Sequence, residues 1–451
     1  MGQTLICPTA VAVAPPPMVA NVIGTWSYRT VSQRMKSILR TVLATFAREE
    51  LMLIEKIGAF GRESLDLVLK ELEILYDGLT NNRFLTPLTG EAGDVTDWNR
   101  VFEAAHVDGV PPSWHDGSWL YVECFLYRKL YDILDTSGVL QDYDYFHDQK
   151  VESFENAVQA AHELATGLLA DLEAAKKLST SKIKAIFIQL MMVSLWGNRY
   201  DLTLTGGVKV SQDKSPMEEL QELSSYILVD ETSRIFSYLN SLKRQKKRIR
   251  VDFVSDNAGF ELFADLCLAD FLTSAGLAQR ITFHIKEIPW FVSDTTQVDI
   301  DWLMERLKTD EQGPSLPELS ARWRRNFRAG AWEVATSPFW TSPHPFCRMK
   351  QLCHNLYWRL QGANLLLFKG DLNYRKLLAN RPWPVSTAFC RALDGFHPAP
   401  LVALRVLKAD LVVGMTNKTA RAAAERDADW MTCGEFAVIQ MCHRRNPLDA
   451  L

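Results

Sequence analysis

From residue 249 onward the chain changes its period. Five short apolar runs follow one another: IRVDFVS (249–255), RITFHIK (280–286), NLLLFKG (364–370), LVALRVLK (401–408) and DLVVGM (410–415). Each is too short for a buried helix and rich in the branched and aromatic residues that pack well on a pleated surface. Between several of them lie stretches whose apolar residues recur at three and four, such as FELFADLCLADFLTSA (260–275) and DIDWLMERLK (299–308). Strands alternating with helices predict an α/β fold, a mainly parallel sheet covered by helices.

The first half has a different texture. VSQRMKSILRTVLATFAREELMLIEKI, ESLDLVLKELEILYDGL, SWLYVECFLYRKLYDIL and SFENAVQAAHELATGLLADLEAAKKL all carry helical spacing. A loop, TGGVKVSQDKSP (205–216), and one further helix over about 217–241 lead to the basic run KRQKKRIR (243–250). The expected organisation is a flexible leader over 1–22, a helical N-terminal region over 23–242 and an α/β/α core over 243–451.

With 451 residues and 47% apolar content, the chain can bury a large core. A net charge of −4 gives no general attraction to nucleic acid or anionic membrane, so neither is an expected partner. The eight cysteines have no repeated spacing and several sit in apolar runs, which predicts free thiols in a reducing compartment. The start lacks a basic n-region and contains PPP, unlike a signal peptide. The longest apolar run, IKAIFIQLMMVSLW, is too short to span a bilayer and contains Lys184 and Gln189. The expected location is the cytoplasm, with the basic run as a nuclear-import alternative. Nothing indicates an oligomeric state.

Several motifs fall away on inspection. His344, Cys347, Cys353 and His354 lack the paired spacing of a structural zinc site. Asp299 and Asp301 in VDIDWL are preceded by SDTTQ rather than by a strand, so they read as helix-start residues. Neither a Walker loop nor a G-x-G-x-x-G turn occurs.

What remains is a set of polar residues at strand ends, where ligands bind in a parallel sheet. Asp256 and Asn257 end the first strand, although such a pair can also cap a helix. Asp294 ends EIPWFVSDTT. Lys369, Asp371, Asn373 and Arg375 follow the third strand, and Arg405 and Lys408 the fourth. Hard oxygens suit Mg²⁺ or Mn²⁺, and the adjacent cations suit phosphate.

The blocks SDNAGFELFADLCLADFL, IPWFVSDTT, LLLFKGDLNYRKL, LDGFHPAPLVALRVLKADLVVG and WMTCGEFAVIQ closely resemble the damage-control phosphatase family, in its third, sugar-phosphate phosphatase subfamily. The resemblance extends through TWSYRTVSQRM, SWLYVECFLYRKLYD and SLWGNRYDLTLTGG, and covers roughly residues 23–440. It implies a Rossmann-like α/β/α core and hydrolysis of phosphate monoesters such as fructose 1-phosphate and fructose 6-phosphate, in a damage-control role. It implies a divalent metal (Mn²⁺, Co²⁺, Ni²⁺ or Mg²⁺) held by Asp256, Asn257 and Asp294. Asp256 and Asp371 are the expected catalytic residues, Asp371 acting on the water or the leaving oxygen as acid or base. Substrate contacts would fall on Asp256, Asn257, on Asp371, Leu372, Asn373, Tyr374 and Arg375, and on Lys408 of an Arg-Thr-x-Lys signature. Here that signature reads RVLK, with Val406 in place of Thr. Two alternatives stand beside this reading. One is protein-carboxylate methyl transfer from S-adenosylmethionine, for which the chain offers no Gly-rich loop; the other is a repurposed family member in specialised metabolism.

Overall fold

The computed structural model describes residues 14–443 apart from 59, 175–176 and 206–221, with residues 198–205 described by their backbone alone. The 205–216 loop therefore lies almost wholly outside the described residues, as do residues 1–13 of the expected leader.

Seven strands form one sheet: β1 (Ile227–Asp230), β2 (Arg250–Val254), β3 (Arg280–His284), β4 (Trp332–Ala335), β5 (Leu365–Lys369), β6 (Leu401–Val406) and β7 (Ala437–Cys442). Their order is β1-β7-β6-β5-β2-β3-β4, and every neighbouring pair is parallel except β6 with β7. Four of the five expected strands are there, and the fold is α/β as their alternation with helices requires.

DLVVGM (410–415) is not a strand. Two of its carbonyls are taken by side chains instead: Arg405 Nη1 donates to Leu411 O, and Gln440 Nε2 donates to Val413 O at 2.6 Å. A segment whose backbone is satisfied this way has no ladder to join. β1 lies inside the stretch expected to be a helix over 217–241, and the helix that follows is Thr232–Arg244. The basic run begins in the last turn of that helix and continues through exposed residues to β2, a solvated connection.

Period-two alternation divides the strands between two apolar cores. Val251, Phe253, Ile281, Phe283, Leu365 and Leu367 face one side, and Val254, Leu366, Phe368, Leu401 and Ala403 the other. The first side is covered by helices that include Val158–Ala174, Thr180–Thr205 and Gly259–Ser274. Helices from the expected N-terminal region thus share the core of the sheet. The third core belongs to residues 20–146 and meets the rest at Trp290, Leu372 and Ala409. These three follow β3, β5 and β6, which places the N-terminal helices over the carboxyl edge of the sheet.

Residues 14–22, expected to continue the leader, are held against this body. Met18 N donates to Asn380 O at 3.0 Å, and Trp119 N donates to Met18 O at 2.9 Å. The stretch 31–57 is likewise not one helix: a π-helical turn (Thr30–Arg34) precedes Met35–Arg48 and Glu50–Ile57. Cys390 and Cys442 form a disulfide, so those two are not the free thiols expected. None of the described helices is long and apolar enough to cross a membrane.

Candidate functional site

The sheet runs β2→β3→β4 in one direction and then returns to place β5 on the other side of β2. The crevice between the ends of β2 and β5 is therefore the topological switch point, where α/β sheets bind ligands. Asp256 follows β2 there, and Gly370 and Asp371 follow β5.

Local backbone pairing brings the acidic residues together. Ala258 N donates to Ser293 O and Thr295 N to Asp256 O, each at 2.7 Å, making an isolated antiparallel bridge between Asn257 and Asp294. Neither Asp256 nor Asn257 caps a helix: the N-cap of Gly259–Ser274 is Ala258, with no side-chain bond. The Asn257 amide donates to Asp256 Oδ2 at 2.8 Å and Glu261 Oε2 at 2.7 Å, and Ser293 Oγ donates to Asn257 Oδ1 at 2.6 Å. Opposite, Gly370 has φ +83°, and a Cβ there would stand 1.9 Å from Asp256 Oδ2. Only glycine lets the β5 turn approach this carboxylate so closely.

The electrostatics are those of an acidic cluster short of positive charge. Burial, and then Asp294 and Glu261, push the Asp256 carboxyl well above the usual carboxylate range, against Lys286 and Lys408. Burial also raises Asp294, although Lys286 Nζ lies 3.0 Å from Asp294 Oδ2. That buried oxygen has no hydrogen bond of good geometry among the described residues, so the Lys286 contact is an ion pair only. Asp256, Asp294 and the Asn257 amide form a hard-oxygen set that fits a divalent cation. A half-turn of the amide keeps a bond to the Ser293 hydroxyl and turns Oδ1 toward Asp256, completing three oxygen donors.

A cavity of about 610 Å³ opens on this edge. Asp256, Asn257, Asp294, Asp371, Leu372, Arg375, Val406 and Lys408 all line it. The remaining sequence candidates lie behind its wall. Asn373 Nδ2 donates to Lys369 O at 2.8 Å and to Val254 O and Ser255 O, each at 3.3 Å, stapling the helix Gly370–Leu377 to two strand ends. Tyr374 OH donates to Gln440 Oε1 at 2.8 Å. Lys369 is buried against Asp265, Ser194 and Glu261. Arg405 is fully buried over the Tyr374 ring and bonded to Asp371 Oδ1 at 2.8 Å. Neither cation is free to meet an anion. Asp371 also accepts from Lys408 N at 3.3 Å. Burial opposes its charge, but Arg405 and Arg375 outweigh that and hold its pKa below the ordinary value.

The sequence reading missed Lys286, Glu261, Glu123, Trp26 and Arg34. Glu261 and Lys286 stand close in sequence to Asp256 and β3, within reach of a search for charges near strand ends. Glu123 was visible as a carboxylate in the otherwise apolar run WLYVECFLY. Trp26 and Arg34 line the cavity from the N-terminal roof, a long-range placement with no local signal.

Asp144, His147 and Asp299 form a second group able to gather around a cation. The Lys150 ammonium already serves it, 2.8 Å from Asp144 Oδ2 and 2.9 Å from Asp299 Oδ2. Asp299 also closes a capping box with Thr296, the helix-start role expected of it. Among the described residues, no metal-ligand group includes His344, Cys347, Cys353 or His354.

Fold and site together define an α/β protein whose oxygen-rich, cation-flanked cavity lies at the sheet's switch point. Comparison with known families assigns it: residues 30–423 match the damage-control phosphatase ARMT1-like domain. The chain is 39% identical to the damage-control phosphatase ARMT1 of Mus musculus, over 92% of this chain and 96% of that one. Identity to the Homo sapiens protein of that name is 35%, over 95% and 99%. A solved DUF89 family protein of Pyrococcus horikoshii aligns with 90% of this chain and 98% of its own, at TM-score 0.38 and 14% identity, a likeness too remote to weigh. The chain belongs to the damage-control phosphatase ARMT1-like family.

Proposed function

We propose that this protein is a metal-dependent phosphatase that hydrolyses phosphate monoesters of small sugars, of the fructose 1-phosphate or fructose 6-phosphate type, in a damage-control role. The observation that supports the reading is the Asn257–Asp294 bridge, which brings Asp256, packed against Gly370, and Asp294 to one cavity that Arg375 and Lys408 also line. Asp256, Asn257 and Asp294 would hold the cation, with manganese first among Mn²⁺, Co²⁺, Ni²⁺ and Mg²⁺. Such an ion, when bound, supplies Lewis acidity toward phosphoryl oxygens.

The chain's own residues account for the rest. Lys408 and Arg375 neutralise the charge that grows on the phosphoryl group as the water oxygen bonds to phosphorus and the ester P–O bond breaks. Asp371, held ionised by Arg405, accepts a proton; it is no acid at neutral pH. Leu372 and Val406 give the cavity apolar wall against which the sugar carbons pack. The N-terminal helices act as a roof on the α/β/α core, and the working compartment is the cytoplasm. A phosphate-release screen over sugar phosphates, with and without Mn²⁺, tests the reading; no release from any of them would refute it.

A further inference from the structure

Arg375 is 97% buried, and its guanidinium is held from three directions. Nη1 donates to Glu123 Oε2 at 2.6 Å, Nε donates to Asn380 Oδ1 at 2.9 Å, and Cζ lies 3.7 Å from the centre of a Trp119 ring. Trp119 and Glu123 sit one turn apart on the helix Trp119–Ser137, so a single face of the N-terminal roof supplies both the stacking surface and the carboxylate. Met18 ties this arrangement together, because its N–H donates to Asn380 O and its carbonyl accepts from Trp119 N.

Only Nη2 is left over. It is buried and has no hydrogen-bond partner among the described residues, although Arg375 lines the cavity. Buried donors are rarely left unmade, because water is not there to replace the missing acceptor. A planar guanidinium with two nitrogens tethered and one face stacked has no rotational freedom left to find an acceptor; the acceptor must come to it. We propose that Glu123 and Trp119 are positioning residues of the site, fixing the Arg375 guanidinium so that Nη2 meets an oxygen of the bound phosphate. This rests on the phosphatase reading only for the identity of the anion.

The test uses the full-length protein with Mn²⁺ and inorganic phosphate as the probe. In Glu123→Gln, the phosphate Kd by titration calorimetry and the KM for fructose 1-phosphate should both rise roughly tenfold, the loss of one charge-assisted contact, with a smaller fall in kcat. Added guanidinium should partly restore Arg375→Ala and fail to restore the Arg375→Ala, Glu123→Gln double variant, since the ion then has no cradle. If Glu123→Gln does not fold, Trp119→Leu, which removes the stacked face and leaves the carboxylate, carries the same comparison. A phosphate Kd unchanged in a folded variant, or equal rescue in both backgrounds, overturns the proposal. Phosphate affinity that depends on Glu123 in a protein hydrolysing no sugar phosphate would sink the phosphatase reading and leave the clamp standing. Hydrolysis with a phosphate affinity indifferent to Glu123 would do the reverse.

Discussion

Asn257 and Asp294 face each other across an antiparallel bridge that belongs to neither of the strands they follow. Two 2.7 Å backbone hydrogen bonds flank it, so the ends of β2 and of the loop after β3 are fixed relative to one another before any ligand arrives. The bridge thereby brings Asp256 near the buried Asp294, which opposes ionisation of Asp256, a cost that proteins sustain where a cation is to be bound.

Gly370 completes this arrangement from β5. Gly370→Ala would force a left-handed φ on a residue with a side chain and drive Cβ into the Asp256 carboxylate. The expected cost is on the order of 1–3 kcal/mol of stability, together with a weakened response to Mn²⁺. Thermal melts of both proteins, with and without the ion, measure both effects. An unaltered Mn²⁺ response would mean that Asp256 can move without consequence.

The same cluster fixes a pH dependence. In the metal-free protein, Asp256 and Asp294 have folded pKa values above their unfolded ones. Their contribution to stability is therefore present below the ordinary carboxylate pKa and lost as pH rises through the folded values. A divalent cation held by this pair would bind it deprotonated, so protons would compete with it. The rise in Tm on adding Mn²⁺ should be larger near about pH 8 than near about pH 5. Equal shifts at both would place the metal elsewhere.

Lys408 and Arg405 come from one sequence signature and should fail differently. Lys408 lines the cavity, whereas Arg405 is spent on Asp371 and two backbone carbonyls. Lys408→Ala should lower kcat/KM several-fold to a thousand-fold, on the order of 1–4 kcal/mol, with little change in Tm. Arg405→Ala should instead destabilise the fold by roughly 3–5 kcal/mol, the usual result of leaving one partner of a buried ion pair alone. Parallel kinetics and melts separate the two, and an unchanged kcat/KM in Lys408→Ala would remove it from the site.

These contrasts mark what could be read from the chain directly. The apolar runs at 249–255, 280–286, 364–370 and 401–408 gave their strands away because they are buried on both faces and bounded by turns. β7 was hidden in GEFAVIQMC, which follows a polar loop and runs antiparallel to β6, against the mainly parallel pattern. DLVVGM looked like a strand because it is buried; burial is not pairing. Residue type suggested phosphate contacts for Arg405 and Lys369, yet both charges are consumed inside the protein by Asp371 and Asp265. The partners of Arg375 lie some 250 positions away on one side, at Glu123, and five on the other, at Asn380; only the fold shows the first.

Val406, the departure from the family signature, ends β6, lines the cavity and packs on the sheet core. A threonine there would add one neutral hydroxyl, whose hydrogen bond is worth about 0.5–1.5 kcal/mol. Val406→Thr should therefore raise activity on fructose phosphates roughly two- to tenfold and alter the order of a substrate panel. Identical profiles would make the valine a packing residue only.

In the function proposed above, Asp256, with Asn257 and Asp294, makes phosphate-ester hydrolysis depend on a divalent metal. The most direct measurement is phosphate release from fructose 1-phosphate and fructose 6-phosphate by wild type and Asp256→Ala, each with and without Mn²⁺, alongside melting curves showing that both proteins are folded. Wild type should release phosphate with Mn²⁺ and little without it, and folded Asp256→Ala should release none under either condition. Near wild-type turnover by Asp256→Ala in Mn²⁺ would contradict it.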